Sequence, residues 1–194
     1  MGARVYVAAA AAAFLLGGCA TTTKAPVCSA ASGDAVDLHG RLAVKYTQNS
    51  EPKSMTVNYS WSQTPQCTNV ALSTPIGSTI ATIEVTPEQA VLTESGKPPR
   101  SAPDIDTLTA RILGWSLPVA GLREWMQGYA TAADGKRFNA SPGNTDVTTK
   151  DGWRLSFVSW QDGSNPPKPK RIDAERSASG QIEEVSLRIV IDAE

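Results

Sequence analysis

Long runs in which apolar and polar residues alternate with a period of two constrain this chain more than any other feature. In Leu38–Thr47, the residues Leu38, Gly40, Leu42, Val44 and Tyr46 share one face, while His39, Arg41, Lys45 and Thr47 share the other. In Met55–Ser62 the split is cleaner: Met55, Val57, Tyr59 and Trp61 face one way, and Thr56, Asn58, Ser60 and Ser62 the other. Further strands are predicted over Asn69–Ser73, Thr79–Val85 and Gln89–Thr93. Trp153, Leu155 and Phe157 alternate with Arg154 and Ser156 just after the Asp151-Gly152 turn signal. The last strand carries Val185, Leu187, Ile189 and Ile191 on one side, and Arg171–Ser177, joined through Gly180, is its expected partner. Strands with one apolar and one polar face predict an antiparallel sheet with one face in water.

Two segments break this rhythm. Asp104–Gly114 places Ile105, Leu108 and Ile112 at helical spacing, with Ser101 or Asp104 as N-cap and Gly114 as the stop. Pro118–Gly128 sets Val119, Leu122, Trp125 and Met126 on one side, with Pro118 near the first turn and Gly128 past the end. The helices fall between two blocks of strands. The order predicts an α+β fold, a curved antiparallel sheet whose apolar concave face is crossed by helices; a fully packed α+β core satisfies the same order.

The N-terminus is read separately. An apolar run from Val5 through Ala8–Ala13 to Phe14, Leu15 and Leu16 follows Arg4 and ends in Leu16-Gly17-Gly18-Cys19. It is too short to span a bilayer but suits a signal peptide. Two tiny residues before a cysteine resemble the lipobox of bacterial lipoproteins. That resemblance implies cleavage before Cys19, which carries S-diacylglycerol and N-acyl groups, palmitate among them, and no other cofactor. Residues 1–18 are then the signal peptide, 19–35 a lipidated Ala/Thr/Ser/Pro-rich tether, and 36–194 the folded domain. Cys28 and Cys67 remain as an even pair in an oxidising compartment. Joined, they would contribute about 3–4 kcal/mol; unjoined, both are free thiols.

Composition excludes several classes. The net charge of −1 advertises no nucleic-acid surface. His39 is the sole histidine, so neither a catalytic triad nor a metal cluster is expected, and Gly-x-Ser-x-Gly does not occur. Lys168, Lys170 and Arg171, set among Pro166, Pro167 and Pro169, form the one basic cluster, either a solvated loop or a contact for acidic protein groups or anionic lipid headgroups.

Several segments, in order, resemble the outer-membrane lipoprotein receptor family LolB. They are Gly40-Arg41-Leu42-Ala43-Val44, Trp61 at the end of a long strand, Leu72-Ser73-Thr74-Pro75-Ile76-Gly77-Ser78-Thr79, the run from Ile112 to Gly128, and Asp151-Gly152-Trp153-Arg154-Leu155-Ser156-Phe157. The chain departs from the pattern in its short N-terminal region, in Cys28 and Cys67, and in ending Ile191-Asp192-Ala193-Glu194 without the usual tryptophan. The resemblance implies an incomplete β-barrel closed by a helical lid over an apolar cavity, anchored in the outer membrane and facing the periplasm. It implies a non-enzymatic receptor that accepts acylated lipoproteins from a LolA-like periplasmic carrier and inserts them among outer-membrane lipids. Ala20 after Cys19 fits that address. A monomer is expected.

The residues then suggest roles. Leu42, Val44, Val57, Tyr59, Trp61, Leu72, Ile83, Leu92 and Leu155 from the sheet are cavity-lining candidates. Ile105, Leu108, Ile112, Trp115, Leu122, Trp125 and Met126 are the candidates from the helices; as core, each of these residues would simply pack. Pro75, Ile76 and Gly77 form a turn with an apolar tip, for which the resemblance implies membrane insertion. The competing readings are an envelope lipoprotein that scaffolds a complex without lipid cargo, and an anchored hydrolase that would depend on His39.

Overall fold

The computed structural model describes residues 36–115, 117–179 and 182–193. The expected signal peptide and tether, Cys19 and Cys28, and the Gly180 turn lie outside the described residues. The first block of strands is β1 (Val36–Gln48), β2 (Glu51–Gln63), β3 (Thr68–Ser73), β4 (Thr79–Val85), β5 (Ala90–Glu94) and β6 (Arg100–Ala102). Helices α1 (Ile105–Leu113) and α2 (Val119–Met126) follow, then a small hairpin of β7 (Tyr129–Thr131) and β8 (Arg137–Asn139). The second block is β9 (Asp146–Thr148), β10 (Arg154–Trp160), β11 (Pro169–Ser179) and β12 (Ile182–Ile191).

All but β7 and β8 form one antiparallel sheet in the order β6-β5-β4-β3-β2-β1-β12-β11-β10-β9. Each block is an up-and-down meander, and β1 against β12 joins the two. The edges β6 and β9 do not pair with each other, so the curved sheet is not a closed barrel. Turns and loops segregate to two ends. The β1–β2 turn and the β3–β4 loop share one end with the last residue of β11 and the first of β12; the β2–β3 turn and the β10–β11 loop share the other.

Local chemistry explains the elements. Asn49 and Ser50 both take left-handed backbone angles, φ 54° and 64°, the geometry a two-residue hairpin turn demands. The Asp104 carboxylate accepts from the Thr107 backbone N–H at 2.7 Å and starts α1. Gly114 ends it at φ 78°, as its lack of a side chain permits. Val185, Leu187, Ile189 and Ile191 are all buried on the concave face, against Ile172 and Ala174 of β11 and Leu155 and Phe157 of β10. Ile191, the last residue of β12, is buried and paired with Gly40. His39 is an exposed strand residue whose carbonyl accepts from the Asp192 backbone N–H. Cys67, buried in the β2–β3 turn, is disulfide-bonded.

Gly40 sits where three strands crowd. A Cβ there would collide with the Val190 carbonyl and come within 3.0 Å of the Tyr59 hydroxyl. The empty space lets Tyr59 of β2 reach across β1 and donate to Val190 O of β12 at 3.3 Å. Burial, with Asp192 as a lesser contributor, drives the phenol pKa well above its ordinary value, so Tyr59 stays a neutral donor. Gly40→Ala is expected to lower stability by about 3 kcal/mol through backbone overpacking. Tyr59→Phe should lose only about 1 kcal/mol. Urea unfolding midpoints measure both, and similar losses would contradict the crowding argument.

Candidate functional site

Between the concave face and α2 lies a partly open cavity of about 70 Å³. Its walls are Leu42, Tyr59, Trp61, Val70, Leu72, Ile83 and Ile189 from the sheet, and Leu117, Val119, Leu122 and Met126 from the α1–α2 linker and α2. The polar atoms of the wall aromatics are engaged elsewhere: the Tyr59 hydroxyl donates to Val190 O, and Trp61 Nε1 to Gln63 Oε1 at 3.3 Å. A water has no partner in such a space. The space is smaller than a long acyl chain needs, so such a chain would have to enlarge it. Met126 also borders a wider groove of about 620 Å³ at the end that carries the β10–β11 loop. A flexible thioether side chain thus separates cavity from groove.

The expected lining residues divide. Leu42, Tyr59, Trp61, Leu72, Ile83, Leu122 and Met126 border the cavity. Val44, Val57, Leu92, Ile105, Leu108, Trp115, Trp125 and Leu155 are buried, and Ile112 is partly buried, but none of these nine touches it. Trp125 packs on Trp153 with ring centroids 5.8 Å apart, and Trp115 on Tyr46 at the same distance. Sequence reasoning missed Val70, Leu117, Val119 and Ile189 as lining residues. The parity of Ile189 with Leu187 and Ile191 was an available signal, as was the helical spacing of Val119 with Leu122 and Met126; Leu117, in the linker between the helices, carried none.

α2 packs over the cavity through the buried Val119, Leu122, Trp125 and Met126, and its first turn is capped from α1. Its N-cap, Pro118, supplies no side-chain acceptor. The Asp106 carboxylate of α1 takes that role, accepting from the Val119 backbone N–H at 3.3 Å. Burial raises the Asp106 pKa above its ordinary value; the Val119 bond opposes the shift, and Asp104 and Asp151 add to it. A raised carboxyl pKa means that the stability linked to this group is present at acidic pH and lost as pH rises through the folded value. Asp106→Ala should expose the first turn of α2, raising hydrogen exchange at the Val119 amide about tenfold while the β11 and β12 amides are unaffected. Asp106→Asn keeps an acceptor and should retain protection with a flatter pH dependence. Unchanged exchange in Asp106→Ala would contradict the tie.

The Pro75-Ile76-Gly77 turn projects from the end opposite the β10–β11 loop. Thr74 N donates to Ser78 O at 2.8 Å, Gly77 N to Thr74 O at 2.9 Å, and Ser78 N to Thr74 Oγ1 at 3.1 Å. Gly77 takes φ 92°, which a side chain would strain. This closed loop holds Ile76 at 90 % exposure. Met55, expected on the inner face, is 41 % exposed, and Ile80 just past the loop is 39 % exposed. The basic cluster is split: Lys168 and Lys170 are exposed, whereas Arg171 pairs with Asp173. Among the described residues, no three His, Cys, Asp or Glu side chains converge as metal ligands, and no helix is long and apolar enough to cross a membrane.

Residues 34–193 match the family model described as outer membrane lipoprotein LolB. The chain belongs to that family. Outer-membrane lipoprotein LolB of Cupriavidus pinatubonensis is 32% identical over 187 residues, covering 93% of this chain and 89% of its own. The protein of the same name from Cupriavidus necator is 34% identical over 154 residues, 79% of this chain and 77% of its own. A solved LolA superfamily protein of Nitrosomonas europaea covers 81% of this chain and 84% of its own at 6% identity, with a TM-score of 0.41, a likeness that carries no argument. As a LolB family member, the chain is an outer-membrane lipoprotein.

Proposed function

We propose that this LolB family member accepts acylated lipoproteins from a LolA-like periplasmic carrier and inserts them among outer-membrane lipids, acting as a monomer and without catalysis. The observation that carries the reading is the wholly apolar cavity under α2. A cargo acyl chain gains roughly 0.8 kcal/mol per buried methylene, so even a partly opened interior holds it firmly. Uptake requires α2 to move off Leu42, Leu72 and Ile83. Leu122 and Met126 then follow the ligand as an adaptable wall.

No nucleotide is needed for such a transfer. A tenfold preference over the carrier corresponds to about 1.4 kcal/mol. The bilayer, as last acceptor, must hold the chains more strongly again. Acyl groups on Cys19 keep the protein at that membrane.

The rigid loop brings Ile76 into the lipid surface at the delivery step. Its side chain gains about 1–3 kcal/mol there, with Pro75 and Gly77 holding the turn. Ile76→Glu is expected to accept lipoprotein from the loaded carrier normally and to lower insertion into liposomes about tenfold. Cofractionation of cargo with protein and with liposomes separates the two steps. Unimpaired insertion by this variant would sink the loop's role, and failure to accept cargo by the unaltered protein would sink the receptor reading.

A further inference from the structure

The inward positions Leu155 and Phe157 of β10, Ile172 and Ala174 of β11, and Val185, Leu187, Ile189 and Ile191 of β12 are buried and apolar. Ile172 and Ala174 of β11 are wholly buried, and two residues further on the same face stands Arg176. Its guanidinium carbon lies 4.9 Å from the centroid of the Trp153 ring. Arg176 Nε is shielded from solvent and meets no acceptor, and the same holds for Trp153 Nε1 and Trp115 Nε1. Trp153 is 0% and Trp115 5% exposed, so water does not readily serve either.

The register sets these donors in one row. Tyr46 of β1 is opposite Val185 of β12, which is opposite Arg176 of β11. Trp153 immediately precedes Arg154, the residue opposite Glu175. Trp115 rests on Tyr46. The row crosses the interior at the end that also bears the β1–β2 turn and the Ile76 loop. No carboxylate pairs with Arg176 among the described residues; Asp151 attracts it only through space.

Buried donors without acceptors each cost about 1–3 kcal/mol, and native proteins keep few of them. What this row lacks is oxygen. What adjoins it is an apolar interior: from Tyr46 to Leu42 at the cavity is four residues of β1, about 13 Å. A ligand that fits both carries oxygen acceptors at the head of long apolar chains. We propose that Arg176, Trp153 and Trp115 bind the ester carbonyl oxygens at the glycerol end of a diacyl ligand whose chains occupy the interior. The proposal rests on the receptor reading above and adds the polar determinant that a purely greasy cavity does not have. Two sources offer this chemistry, the S-diacylglyceryl cysteine of a lipoprotein and a diacyl phospholipid.

The test is competition against a fluorescent acyl probe bound to the full-length protein. One pair of competitors is an S-diacylglyceryl-cysteine peptide and its dialkyl ether counterpart, which has the same chains without carbonyls. The second pair is a diacyl and a dialkyl phosphatidylglycerol. An ester preference of about tenfold is expected in at least one pair, and the pair that shows it identifies the source. Arg176→Met retains the apolar stem on Trp153; it should bring that preference below about threefold while ether affinity holds. Equal affinities in both pairs, or a preference that survives Arg176→Met, would overturn the assignment while leaving the receptor reading intact. If the probe itself does not bind, both fall.

Discussion

The pairing of β1 with β12 is the interaction on which the rest of this structure depends. It welds an N-terminal and a C-terminal meander into one sheet and leaves β6 and β9 as unjoined edges. A sheet that curves without closing has a concave apolar face that must be covered by something else. The chain between β6 and β9, which holds α1, α2 and a small hairpin, is the only described segment placed to do so. Gly40 and Tyr59 secure this seam, since one hydroxyl from β2 crosses β1 to reach the backbone of β12.

The two halves of the interior are built differently. Between β10–β12 and the surrounding aromatics, side chains are packed almost without exposure: Trp153, Leu155, Phe157, Ile172 and Leu187 are each at or below 1 %. Toward β2–β4, under α2, packing is incomplete and the cavity lies there. A close-packed side supports a loose one. α2, capped by Asp106, lies over the incompletely packed side, and the strand ladder forms the close-packed one.

Much of this was legible in the sequence, for identifiable reasons. Long strands with one wet face write their parity into the residues, and Val185 to Ile191 or Val57 to Trp61 are unambiguous. Both helix starts carried chemical marks at Asp104 and Pro118. Strands of three residues such as β6, β8 and β9 are too short to show a period, and pairing alone makes them strands. Met55 keeps the inward parity yet is exposed, because β2 runs past the end of β3 into solvent. Alternation also identifies what faces inward but not which inward residues touch one another. Ile105 and Leu108 follow the same pattern as Leu122 and Met126, yet only the latter pair borders the cavity. Arg176 was readable by parity, two residues beyond Ala174.

The central claim is that the interior enlarges to shelter an acyl chain. Titrating the mature protein with a fluorescent palmitoyl probe, while following hydrogen exchange of the α2 amides, tests it most directly. Saturable uptake at a single site, accompanied by faster exchange in α2 and none in β11 or β12, is the predicted result. A protein that takes up no probe, with α2 as protected as before, would contradict the account.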